Sequence, residues 1–179
     1  MLHSNTERLI DYWRERKRGA FSPARGAIDP ADLSGLLPQM FILGRTAPGR
    51  FAFRLAGGTV ASVHGLDMRG LNAVDLWVGE DRPRLAAALE AARRGCEPVV
   101  TVAEARARRA TIQIEMTFAP LLAEREPQDR IIGLYQPLEA IPPLWEGPAE
   151  LSLRHIASAA ERSAPPQLRL AAIDGRLIA

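Results

Sequence analysis

The stretch from Phe51 to Trp77, FAFRLAGGTVASVHGLDMRGLNAVDLW, changes its hydrophobic period within a few residues, and few architectures accommodate that change. Phe51, Phe53 and Leu55 alternate with Ala52, Arg54 and Ala56, the period of a half-buried strand, and Gly57-Gly58 ends the alternation. Thr59 is placed as a helix N-cap. Val60 and Val63 lie on one helical face, and Gly65 closes the turn where a positive φ is needed. After Gly70, a second short apolar piece runs from Leu71 to Trp77. A strand, a few short helical turns and then a longer helix is an order in which an α+β domain can wrap a small cavity.

The flanking sequence completes the pattern. Ser4 with Glu7 reads as a capping box ahead of an amphipathic helix over residues 5–18, whose apolar face holds Leu9, Ile10, Tyr12 and Trp13. That face is more apolar than an isolated helix tolerates, so it should dock on its own sheet or on a second chain. Phe21 to Ala27 reads as extended loop. Asp29-Pro30 starts a short helix with Leu33, Leu36 and Leu37 inward, and Pro38 ends it. Met40 to Leu43 and the strand from Arg50 or Phe51 form a hairpin across Ala47-Pro48-Gly49.

A helix opens at Gly79 to Pro83 and carries Leu85, Ala88, Leu89 and Ala92. Three strands in a meander follow, near Glu97 to Ala105, Arg108 to Pro120 and Arg130 to Leu138. In the middle one Ile112, Ile114, Met116 and Phe118 form an apolar face, and Gln113, Glu115 and Thr117 a solvated or paired one. Pro142-Pro143 and Gly147-Pro148 are read as the end of the compact domain. Glu150 to Arg162 is then expected as a final helix bearing Leu151, Leu153 and Ile156, with a small hairpin turning at Asp174-Gly175 in the tail. The expected division is a helix over 1–20, a core domain over 21–140 and a helical tail over 141–179.

The bulk properties exclude several classes. With 179 residues and 47% hydrophobic content, the chain has material for one real core. No apolar run is long enough for a membrane span, and the N-terminus lacks a signal-peptide core, so the expected location is cytoplasmic. The lone cysteine, Cys96, leaves neither a disulfide framework nor a multi-cysteine zinc site within one chain. Lys17 is the sole lysine beside many arginines. That bias suits anion recognition, although GC-rich coding produces it too.

The order of elements resembles a PAS domain, and more narrowly the small stand-alone PAS-like proteins of alphaproteobacteria. The residues that carry the resemblance are Tyr12-Trp13, Pro23-Ala24-Arg25, Ile28-Asp29-Pro30, Leu36-Leu37-Pro38, Phe53 to Gly57, Gly65, Gly70 and Leu76-Trp77. The resemblance covers roughly residues 8–138. It implies a five-stranded antiparallel sheet with short helices and one longer helix on one face, and a sensory or regulatory role carried through protein contact. A homodimer and a signalling partner are implied in the same way.

Candidate sites are few. Phe53, Leu55, Val63, His64, Trp77, Ile114, Met116 and Leu134 would line a pocket between the sheet and the short helices, or fill an ordinary core. His64 could meet a ligand or a haem iron, but the long helix has no histidine and His3 and His155 are terminal. Cys96, between Gly95 and Glu97, lacks the setting of a flavin-adduct cysteine. No cofactor is required, and the residues argue against haem, flavin and a metal site.

No nucleophile, base and orienting acid stand in a recognisable pattern, so the expectation is a non-enzyme. Two other readings stay open: a small-molecule enzyme on a similar curved sheet, and nucleic-acid or nucleotide binding. The second would use Arg14 to Arg18 and Arg106 to Arg109, although no aromatic residues are interleaved there for base stacking. A small-molecule ligand is compatible with the contact reading.

Overall fold

The computed structural model describes residues 1–122 and 130–160 and two short paired strands in the tail. Its centre is a six-stranded sheet, antiparallel throughout, in the order β2-β1-β5-β4-β3-β6. The strands are β1 (Met40–Ala47), β2 (Arg50–Ala56), β3 (Val99–Arg106), β4 (Thr111–Leu121), β5 (Arg130–Pro137) and β6 (Glu150–Ser158). The helices are α1 (Ser4–Lys17), α2 (Gly58–His64) and α3 (Asp81–Gly95), joined by 3-10 segments at Pro30–Gln39 and Ala73–Leu76. No helix among the described residues is long and apolar enough to cross a membrane.

Parity along the strands splits the apolar residues between two faces. One face carries α2, α3 and the Ala73–Leu76 turn. There Phe41, Leu43, Phe51, Phe53, Ile112, Ile114, Met116, Phe118 and Tyr135 meet Val60, Val63, Trp77, Leu85 and Leu89 in one buried cluster. The Phe41 ring stands edge-on to Phe53 and Phe118, with centroids 5.8 and 5.5 Å apart, a favourable aromatic geometry. Gly133 makes room for it, because a Cβ there would run into the Phe41 ring and the Thr117 carbonyl oxygen.

The opposite face carries α1, with Leu9 and Trp13 packed on Ala119, Leu121, Ile132 and Leu134. Ile10 joins Leu2, Val100 and Ala159 in a smaller cluster. Trp13 Nε1 donates to the Pro120 carbonyl at 2.7 Å. Tyr12, less buried, accepts from the Asp29 amide at 2.9 Å and bonds the Asp32 carboxylate at 3.0 Å. The apolar side of α1 therefore lies against its own sheet.

Several expectations are corrected. The residues read as a final helix form β6, which pairs antiparallel with β3 from Val99↔Ser158 to Arg106↔Glu150, so the sheet has six strands rather than five. Pro142-Pro143 and Gly147-Pro148 do not end the compact fold, because the chain re-enters it: Trp145 Nε1 donates to the Val63 carbonyl at 2.8 Å and Leu151 is fully buried. His3, not Ser4, caps α1, its Nδ1 accepting from the Asn5 amide at 3.1 Å. Helix α2 starts two residues early with Gly57 as its cap, so Thr59 is inside it. Gly65 ends it at φ 62° as expected. Leu37 is 42% exposed instead of inward. In the tail Ala172–Ile173 pairs with Arg176–Leu177; the expected turn residues between them lie outside the described residues, as does Arg162.

Candidate functional site

On the face covered by α2 and α3, the predicted pocket residues Phe53, Val63, His64, Trp77, Ile114 and Met116 come together in the buried cluster. They meet in the buried interior, and Phe53 also lines a cleft of about 480 Å³. Its main polar feature is His64, fully buried, which bonds the Ala149 carbonyl through Nδ1 at 3.1 Å and the Tyr135 hydroxyl through Nε2 at 3.1 Å. A carbonyl only accepts, so Nδ1 carries the proton and Nε2 accepts from Tyr135. Burial lowers the His64 pKa to about 4, against a smaller opposing effect of the Ala149 bond. Burial likewise pushes the Tyr135 hydroxyl well above its ordinary value. Both groups are neutral and hydrogen-bonded at neutral pH, an arrangement suited to fixing a core rather than to transferring a proton.

Leu55 and Leu134 do not join the others. Leu134 lies under α1 on the far side of the sheet. Leu55 is displaced by a β-bulge: Ile42 pairs with Leu55 but Leu43 pairs with Phe53, so Arg54 is the extra residue and the alternation resets after it. Leu55 is thereby 52% exposed. It stands at the rim of an apolar groove of about 320 Å³ beside the Pro30–Gln39 segment. The sheet supplies Ile42, Leu121 and Ile132 as the floor, and Leu33 and Leu37 form one wall.

A second cleft, of about 480 Å³, shares lining residues with the groove. Arg25, Ile42 and Leu55 line both cavities, and the cleft adds Arg54, Arg69 and Arg130. No acidic residue is among the described residues lining either cavity. An apolar trough thus lies beside a cleft lined by arginines, two of which, Arg54 and Arg69, also line a further cavity with Asp67.

The other polar candidates have structural partners. Glu115, although on the non-aromatic face of β4, is buried and accepts from the His3 amide at 2.9 Å, while Asn5 donates to Gln136 at 2.8 Å. These bonds tether the start of α1 to the sheet. Cys96 caps α3 at φ 50°, its thiol 3.7 Å from the Arg93 carbonyl. In the turn between β3 and β4, Arg106 pairs with Glu104 at 3.0 Å and Arg108 approaches Glu146 at 4.0 Å. In the α1 basic run Arg16 bonds Asp32 at 2.5 Å. No cluster of three metal-ligating side chains occurs among the described residues.

Sequence reasoning missed Tyr135 and the groove. The Tyr135 signal was present, since Ile131, Gly133 and Tyr135 share one parity along β5 and an inward hydroxyl needs a partner. The groove was concealed by the bulge, which no alternation pattern reveals.

A search of curated proteins finds no match. The sequence profile of a PAS domain family matches residues 1–136. Among solved structures the chain is similar to one titled "Structure of an RNA-binding Light-Oxygen-Voltage Receptor", with 19% identity and a TM-score of 0.43; the match covers 65% of this chain and 35% of that one.

Proposed function

The chain belongs to the PAS domain family, and on that premise we propose that it is a non-catalytic regulatory module of the cytoplasm that acts by contact, pairing with a second copy of itself to present a signalling surface. The observation that carries this reading is the contrast between the two sheet faces. The interior around His64 and Tyr135 is buried and the polar atoms of both rings are bonded, whereas the other face exposes Leu37 and Leu55 around an open apolar groove. Exposed leucines around a concavity are a usual mark of an interaction surface. Among the described residues that line the groove, no acidic or histidine side chains converge, which favours contact over catalysis.

Sedimentation velocity over a wide concentration range tests the reading. The expected result is a reversible dimer that the Leu37→Asp variant dissociates. A wild-type protein that stays monomeric at every concentration, or a dimer that Leu37→Asp leaves intact, overturns it.

A further inference from the structure

We propose that the occupant of the apolar groove beside the Pro30–Gln39 segment is the C-terminal tail of the same chain, whose aliphatic residues between Leu168 and Ile178 dock there and so regulate pairing. The proposal rests on the preceding reading of this face as the contact surface and adds what controls access to it.

The tail departs from the groove's own face of the sheet. Ala159 is fully buried among Leu2, Ile10 and Val100. Val100 pairs with Thr117, and Thr117 with Leu134, which lies beneath α1. The groove is built on that same side, because its lining residues Leu33, Met40, Leu121 and Ile132 pack with Leu9 and Trp13 of α1.

Strand register sets the level of departure. Ser158 pairs with Val99, Val99 with Phe118, Phe118 with Gly133 and Gly133 with Phe41, one row across the sheet. Phe41 stands between Met40 and Ile42, which both line the groove. From β6 to β1 is four strand spacings, about 19 Å. Extended chain advances about 3.3 Å per residue, so the stretch from Ala160 to Ile173 reaches roughly 40 Å, enough to pass around α1.

Composition supplies the attraction. The tail reads LRLAAIDGRLI from Leu168 to Ile178, five large aliphatic residues in eleven. Ala172–Ile173 pairs with Arg176–Leu177 in a two-stranded ribbon, and so short a ribbon needs an apolar surface to pack on, being marginal in water by itself. The groove offers such a surface, with Leu37 and Leu55 uncovered at its rim. A segment tethered to the same chain meets it at an effective concentration on the order of millimolar, well above that of a dilute second copy.

The test places a nitroxide on Ala171→Cys in a full-length Cys96→Ser chain, diluted until it sediments as a monomer. The label should quench the amide signals of Ile42, Leu55 and Ile132 and spare those near Arg108, at the opposite end of β3 and β4. Leu168→Asp with Leu170→Asp should abolish the quenching. Pairing requires the open groove, and apparent Kd varies inversely with the open fraction of each copy, so this double variant should dimerise at least about tenfold more tightly than wild type. Groove signals that stay sharp overturn the proposal. So do quenching that the double variant retains, and a dimer that it leaves no tighter. Quenching seen only when labelled chains are mixed with unlabelled isotope-enriched ones means that the tail crosses between copies, which overturns the assignment to its own groove. Sedimentation keeps the two ideas apart: a dimer that Leu37→Asp dissociates, without quenching, removes the tail and leaves the contact reading. Quenching in a chain whose wild type and double variant are both monomers at every concentration removes the contact reading and leaves the tail in the groove.

Discussion

The Tyr135 hydroxyl donates to Nε2 of His64 at 3.1 Å while Nδ1 of the same ring donates to Ala149, so both nitrogens of a fully buried imidazole have partners in the neutral state. The two bonds join β5, α2 and the segment leading into β6. The native pKa near 4 lies below the ordinary 6.5 because burial penalises the cation. The unfolded chain therefore takes up the proton first as pH falls. Stability contributed by the neutral ring is full above about pH 6.5, declines between there and 4, and levels off below, for a total of about 3 kcal/mol. Urea unfolding at pH 7 and pH 4.5, compared between wild type and His64→Gln, isolates this part. An identical loss in the two proteins would assign the acid sensitivity to other groups.

Tyr135→Phe leaves Nε2 of His64 buried without a donor. The expected cost is about 1–3 kcal/mol at neutral pH with the fold retained, measured by the shift in the urea midpoint at constant slope.

Glu90 on α3 accepts from Arg45 at 2.8 Å, from the Gly49 amide at 3.0 Å and from Arg93 at 3.1 Å, binding the turn of the β1–β2 hairpin to the helix. Burial opposes ionisation of this carboxyl, but the three bonds together outweigh it and hold the pKa near 2. Glu90→Gln should lose about 1–2 kcal/mol, with the amide exchange of the hairpin turn accelerating before that of β4. Unchanged exchange at residues 45–50 would refute the anchoring role. The wild-type contribution is present above the usual carboxylate pKa and fades as pH falls toward 2.

Gly133→Ala inserts a methyl where the Phe41 ring and the Thr117 carbonyl oxygen already lie. Overpacking of this kind costs about 1–3 kcal/mol. Phe41→Leu in the same chain should recover part of the loss. A double-mutant cycle in thermal unfolding measures the coupling, and strict additivity would place the strain elsewhere.

Trp13 fixes α1 by two means, its ring against the sheet and its Nε1 on the Pro120 carbonyl. Trp13→Ala should cost about 3–5 kcal/mol, and Trp13→Phe about 1–2 kcal/mol, because the ring volume largely remains and the carbonyl loses its donor. Denaturant titration followed by circular dichroism would show both, and a silent Trp13→Phe would mean that water replaces the indole.

Elements with one clean period were legible in the sequence. The alternation Ile112, Ile114, Met116, Phe118 gave β4 its inward face, and the spacing of Leu85, Leu89 and Ala92 gave α3 its own. Two β-bulges account for the main errors. In β6, Leu151 and Leu153 show the strand period, but the register shifts after Ala103↔Leu153, so Ile156 falls out of phase and the three together imitate a helical stripe. In β2 the extra Arg54 carries Leu55 out of the interior and onto the groove. A bulge is one residue inserted against a partner strand, and the partner is invisible from local sequence. The arginine cleft was hidden for a related reason: Arg25, Arg54, Arg69 and Arg130 are far apart along the chain, and only the fold brings them together.

Strand β6 lies beyond the residues that the family profile matches, yet it occupies one margin of the sheet and hydrogen-bonds along β3. A polypeptide ending at Leu138 would leave the backbone donors and acceptors of β3 without their second neighbour, an open template for any extended segment that meets it. Such a shortened protein would keep the residues by which it is recognised and still associate edge to edge, so the self-sufficient folding unit extends past the recognisable sequence to take in one further strand.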